Sequence, residues 1–387
     1  MRLTTKWQLA LPLGLLACGC SSIVVAGSDR DSGTPPDAPI DASTDAGTGG
    51  DTHAGGDLDG ASDGVAHPTD GAAADAGSGT RPWLHVEGNQ IKDPAGNLVT
   101  LRGVSILDPE YMPSSPNPKT PSEIIAWQAD AARGWYSRIL RLDVCEKNQD
   151  PAGAFSFYEP FVQQAIDQGQ YVIIDFHNVT DFGSGGTAQS TVLNFWNYFA
   201  PRYADSPNVI FEVFNEPVNP DDWTAWKSFI QPVVDAIRAV APKNLIFMGS
   251  PQWSTRVNEA AADPISGGNI VYVFHIYPNQ GTPTPSLLDS KFGTAANTIP
   301  VVITEFGWND DAASSDSITH GTTSEWGQPF RTYMDAHPHI SWVNWIFDNY
   351  WGPGIFDANW NLMSGENQGT FIQSWLADLK DDHQPAG

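Results

Sequence analysis

Cysteine is scarce: three in 387 residues, with Cys18 and Cys20 inside the first 20. Beyond them only Cys145 remains, which excludes an internal disulfide framework and a cysteine-ligated metal site. Cations are also few, 19 lysines and arginines against 45 acidic residues. A surface so negative repels nucleic acid and anionic membranes and suits a neutral partner. The longest apolar run, within the first 20 residues, is too short to cross a bilayer. No G-x-S-x-G occurs after residue 80, so a serine-hydrolase elbow has no support.

What is present divides into three parts. MRLTTKWQLALPLGLLACGC (1–20) has cationic Arg2 and Lys6, an apolar run and then small residues, the pattern of an export signal. Leu15-Leu16-Ala17-Cys18 resembles a bacterial lipobox, so Cys18 is expected to be lipid-modified, with Cys20 the alternative; an ordinary cleaved signal is the plainer reading. Residues 21–80 are Asp, Ala, Gly, Ser, Thr and Pro with scarcely an aromatic, a composition that cannot offset its ordering entropy. They read as an acidic tether whose like charges extend it. The protein is thus expected outside the cytoplasm, at a cell surface or outer membrane or secreted.

Residues 81–387 are long enough for one large α/β domain. Eleven acidic and three basic residues precede residue 81, so this part keeps 34 acids against 16 bases, a formal charge of −18. It opens with LHVEGNQIKDPAGNLVTLRGVSI (84–106), where Gly88-Asn89 and Asp93-Pro94-Ala95-Gly96-Asn97 signal a hairpin before a strand. Eight nearly continuous apolar runs follow: 100–105, 138–143, 171–176, 209–214, 245–249, 270–275, 300–304 and 340–346. Such runs suit parallel strands covered on both faces. Helical spacing lies between them at 122–136, 158–168, 190–203, 223–240 and 323–335, is weak after the fifth and sixth runs, and gives way to loop at 313–321. The alternation predicts a (β/α)8 barrel, with a doubly wound open sheet as the alternative.

A barrel displays its functional groups at the C-terminal ends of its strands. There the sequence places Arg141, His177, Asn215-Glu216, His275 and Tyr277, Glu305 and Trp345. His275 and Tyr277, two apart, are expected on one face. Glu216 and Glu305 form a candidate carboxylate pair of the kind that cleaves glycosidic bonds, one protonated and one ionised. Arg141 and the Tyr277 hydroxyl beside Glu305 would favour its charged form. Glu216, ending an apolar strand next to Asn215, is the better acid. Asn215 is then placed to bond a sugar 2-hydroxyl.

VIFEVFNEPV (209–218) resembles the glycoside hydrolase family 5 signature, with Asn-Glu-Pro at its centre, and the hairpin segment resembles the family's opening. The resemblance extends over essentially all of 81–387. It implies a retaining mechanism with Glu216 as acid/base and Glu305 as nucleophile, and Arg141, His177, Asn215, His275, Tyr277 and Trp345 around the cleaved bond. The chain departs from the family's tryptophan-containing loop after His177, carrying HNVTDFGSGGTAQS instead, which leaves the subsites open. A secreted endo-β-1,4-glucanase is the first expectation. A β-1,4-mannanase, another β-glucanase or a non-catalytic polysaccharide-binding barrel are the alternatives.

Other motifs read more plainly. Glu212 is expected as a hydrogen-bonded barrel residue rather than a catalyst. A three-histidine zinc site lacks a third ligand beside His177 and His275, so neither metal nor cofactor is expected. GSGGTA (183–188) fits a dinucleotide fingerprint but lies beyond its strand without basic context, so it reads as loop. Cys145 is expected as a buried thiol. Trp253, Trp308, Trp345 and Trp351 lie on or after strand ends and are expected as sugar-stacking surfaces. No partner chain is called for, and a monomer is expected.

Overall fold

Apolar side chains on both faces force the eight runs to be covered on both sides, and they form a closed parallel barrel. In a computed structural model that describes residues 81–145, 147–310 and 318–386, the strands are β1 (Arg102–Ile106), β2 (Ile139–Val144), β3 (Tyr171–Phe176), β4 (Val209–Glu212), β5 (Ile246–Met248), β6 (Ile270–Ile276), β7 (Val301–Phe306) and β8 (Ser341–Asn344). Each pairs with its sequence neighbours, and β8 closes on β1 through Trp342–Arg102 and Asn344–Val104. Cys18, Cys20, the acidic stretch 21–80 and most of 313–321 lie outside the described residues.

Two layers fill the barrel. Ile139, Ile173, Ile210, Phe247, Val271, Val273, Val302 and Val343 make the lower one. The hairpin His85–Glu87 with Gln90–Lys92 seals it from beneath, adding Leu84 and Ile91 to the same cluster. Alternation then carries the next inward positions into the upper layer: Arg141 and Asp143 on β2, Asp175 on β3, Glu212 on β4. All four are fully or almost fully buried. The outward positions pack against the helices.

One irregularity matters. Between β6 and β7, Phe274 pairs with Ile303 but His275 pairs with Glu305, so Thr304 is an extra residue in β7. Such a bulge re-aims side chains. Here Thr304 and Glu305 both turn their polar groups inward, while Phe306 packs outward against Phe330 and Trp375.

The helices are α1 (Pro121–Trp127), α2 (Pro151–Asp167), α3 (Gln189–Arg202), α4 (Trp223–Val240), α5 (Val257–Ala262), α6 (Gln328–Ala336) and α7 (Gln368–Asp378), with a segmented helical stretch across 285–296 before β7. The expected helix at 122–136 is shorter: α1 begins on a Thr120–Glu123 capping box and stops at Trp127, before a 3₁₀ turn capped by Asp130 that ends at Gly134 with φ +80°. The helix expected from 158 starts at Pro151, because Asp150 accepts from Gly153 N and Pro151 occupies the first turn. No helix among the described residues is long and apolar enough to cross a membrane.

Candidate active site

Asn215 and Glu216 follow β4 where the strand leaves the barrel, and their backbone N–H groups donate to Phe176 O at the end of β3 and to Asn178 O just past it. That pairing turns Glu216 over the barrel mouth. From β7, Glu305 approaches it: oxygens of Glu216 and Glu305 and a nitrogen of His275 all lie within 4.8 Å of one another. His275 Nδ1 is 2.7 Å from Glu216 Oε1 and 3.6 Å from Glu305 Oε2.

Arg141 is the hub beneath. Its Nη1 donates to Glu305 Oε1 at 2.9 Å, its Nε to Glu212 Oε2 at 2.8 Å, and its Nη2 to Asn215 Oδ1 at 2.6 Å. Nη2 is also 2.9 Å from Asp175 Oδ2, and Nη1 is 3.5 Å from Asp143 Oδ1. Burial opposes the guanidinium charge, but Asp175, Glu212, Glu305 and Asp143 override it and hold Arg141 protonated. Tyr277 OH donates to the second Glu305 oxygen at 2.9 Å. Burial and the neighbouring Glu305 keep that phenol protonated, well above its ordinary range. Glu305 therefore has one donor on each oxygen and a fixed orientation.

The partner carboxyl differs. Burial pushes Glu216 up to about 7, and no cation touches it, because burial also lowers His275 to about 4 and leaves its ring neutral at pH 7. Burial lowers His177 to about 4 as well. The His177 ring is fixed by Asp175, with Nδ1 2.6 Å from Oδ2, and it stacks on Trp345 at 5.8 Å and 13°. Burial pushes Asp175 up to about 7 against the opposing pull of Arg141.

The structure thus assembles Arg141, His177, Asn215, Glu216, His275, Tyr277, Glu305 and Trp345 at one mouth. Glu212 lies fully buried under Arg141 and Thr304, as expected of a structural carboxylate. Trp253 is 39% exposed after β5. It is carried on a turn where Gln252, Trp253 and Ser254 all have φ near +55°, pinned by Ser254 Oγ to Asn215 O and by Gln252 N to Val218 O. Trp308 corrects the sequence expectation: it is completely buried, enclosed by Trp326 and Phe371, with Gly327 against its six-membered ring. Its Nε1 donates to Glu366 O at 3.1 Å, so it anchors loops and offers no face to a sugar. Cys145 is half-buried rather than enclosed.

Asp143, Asp175 and Thr304 were missed as site residues. The two aspartates carried a signal, since Asp143 stands two residues from Arg141 on β2 and Asp175 two residues before His177 at the end of β3, so alternation gives each pair one face. Thr304 had none once Glu305 is placed inward, because alternation sends adjacent residues to opposite faces and the bulge that brings both in leaves no trace in the apolar pattern. Among the described residues, two groups bring metal-ligand atoms together, Glu216 with His275 and Glu305, and Asp143 with Asp175 and His177. In each, one carboxylate already bonds Arg141 at 2.9 Å, so the guanidinium occupies the role an ion would fill.

A parallel barrel with two facing carboxyls in its C-terminal mouth is the architecture of a glycosidase-type site. The family model for cellulase, glycosyl hydrolase family 5, matches residues 93–350. The chain belongs to that family. Endoglucanase Z of Dickeya dadantii is 33% identical over 255 residues, covering 64% of this chain and 57% of that protein. The chain therefore spans little more than half the length of that relative. A crystal structure of a β-glucanase from Saccharophagus degradans superposes with a TM-score of 0.69 at 25% identity, covering 81% of this chain and 98% of that one. The catalytic domain of a Thermobifida fusca endoglucanase in complex with cellotetraose gives 0.59 at 26% identity, covering 76% and 96%.

Proposed function

We propose that the protein is a retaining endo-β-glucanase acting on β-1,4-linked glucan. The observation that carries this is the carboxyl pair, whose nearest oxygens are no more than 4.8 Å apart. Retaining enzymes hold their carboxyls about 5–5.5 Å apart, whereas inverting ones need about 6.5–9.5 Å to admit a water. Glu305, oriented by Arg141 and Tyr277, is the nucleophile that attacks the anomeric carbon. Glu216 gives its proton to the departing glycosidic oxygen, then takes one from the water that releases the sugar. Asn215, its oxygen held by Arg141, keeps its NH₂ for the substrate. His177, Trp345 and Trp253 shape the sugar subsites. The name of the Dickeya relative and the cellotetraose bound to the Thermobifida domain support a glucan rather than a mannan.

The same reading has the enzyme outside the cytoplasm, held to a membrane through lipidated Cys18 ahead of the acidic stretch 21–80. The charged start, apolar run and lipobox-like residues support this.

Glu305→Gln tests the chemistry. Hydrolysis of β-1,4-glucan is expected to fall by at least about 10³-fold while binding of the polymer persists. Near wild-type turnover in that variant would overturn the assignment, and products from mannan but not from glucan would overturn the substrate.

A further inference from the structure

We propose that Thr304 is a positioning residue that fixes the tautomer of His275 and thereby keeps a proton on Glu216. The inference deepens the reading of Glu216 as the acid and rests on it.

The chain of bonds starts at Glu212. Arg141 Nε donates to its Oε2 at 2.8 Å and Nη2 to its Oε1 at 3.2 Å. Burial pushes this carboxyl up and Arg141 opposes it; with a guanidinium N–H on each oxygen it is held as a carboxylate, which can only accept. Thr304 Oγ1, 3.0 Å from Glu212 Oε1, must therefore spend its single proton there. The hydroxyl oxygen is then left to accept from His275 Nε2 at 2.9 Å. A neutral imidazole carries one proton. With that proton on Nε2, Nδ1 presents a lone pair to Glu216 Oε1 at 2.7 Å. Two acceptors cannot meet at that distance without repulsion, so Glu216 must be the donor.

The burial that lowers His275 to about 4 and lifts Glu216 to about 7 agrees with this placement. Other charged or titratable groups face the pair from every wall. Glu305 and Tyr277 stand on one side, with Arg141, Glu212, Asp143, Asp175 and His177 below and beside. None of them donates to His275 Nδ1. When Glu216 passes its proton to the leaving oxygen, its carboxylate is left against a lone pair. That state favours recovery of a proton from the incoming water, the second half of the reaction. The bulge makes this possible, because it points Thr304 and Glu305 inward together.

The test compares wild type with Thr304→Val, which keeps the shape and removes the hydroxyl, and Thr304→Ser, which keeps the hydroxyl. In protein labelled with ¹⁵N-histidine, with the His275 signal assigned by its loss in His275→Gln, wild type is expected to show a protonated Nε2 and a bare Nδ1. Thr304→Val is expected to populate the other tautomer and to move the basic limb of kcat/KM down by about one pH unit, the size of one hydrogen bond. Its rate should fall about tenfold on glycosides with poor leaving groups and stay unchanged on dinitrophenyl glycosides, which need no acid. Thr304→Ser should restore both. A wild-type Nδ1–H, or a basic limb that does not move in Thr304→Val, overturns the relay. An Nε2–H tautomer in a wild-type protein that hydrolyses no β-glycan supports the relay and overturns the function instead.

Discussion

Arg141 is one fully buried cation facing four carboxylates, Asp143, Asp175, Glu212 and Glu305. Arg141→Met keeps much of the stem's bulk and removes the charge. Deleting one partner from a buried ion pair costs about 3–5 kcal/mol, because the other is left uncompensated. For a domain of this size about 2 °C of melting temperature is lost per kcal/mol, so the midpoint should drop by about 6–10 °C near pH 7. The drop must also depend on pH. Burial holds the folded Asp175 carboxyl at about 7, above its ordinary 3.8. A raised folded value means a stabilising contribution that is full below about pH 3.8 and lost as pH climbs to about 7. Arg141 is what restrains that value, so its removal moves the loss to higher pH and leaves the variant worse off as the carboxylates are forced to ionise. Thermal melts at pH 5 and pH 8 are the assay, with the gap to wild type larger at pH 8. An equal gap at both, or one under about 1 kcal/mol, would show that this cation does not set the charge balance of the barrel mouth.

The two tryptophans that the structure separates should behave oppositely. Trp253→Ala should raise KM on polymer several-fold with a melting temperature near wild type, whereas Trp308→Ala should cost about 3–5 kcal/mol in chemical denaturation as an emptied core site. Dialysis against EDTA should leave hydrolysis intact, since Arg141 rather than an ion neutralises both ligand clusters; loss of turnover restored by a divalent cation would contradict that. Cys18→Ser should release the protein from the membrane fraction, and unaltered partitioning would argue against the anchor.

The barrel was legible because parallel strands buried on both faces must be apolar along their whole length. All eight runs became strands, within a few residues of their expected ends. Helix limits were less legible where one side chain decides them. The Asp150–Pro151 start of α2 lies ahead of its apolar pattern, and α1 ends at Trp127 although apolar spacing continues to residue 136. Trp308 failed for a different reason. Position after a strand end says that a side chain starts near the mouth, but not whether a later loop covers it. Here the segment at 323–327 and Phe371 of α7 close over the ring.

Within the site, Asn215, Glu216, His177, His275 and Glu305 were readable because a polar group stands at or just past the end of an apolar run, whereas Arg141 stands inside its run. The layer below was half readable: Asp143 and Asp175 follow from alternation once Arg141 and His177 are placed. Thr304 does not follow, since strict alternation puts it and Glu305 on opposite faces. The structure places both inward by one inserted residue. That local departure from the strand period gives Glu305 its two donors and lets Thr304 reach Glu212 and His275. A β7 of regular register could turn inward the carboxylate or the hydroxyl, and only the bulged strand serves both.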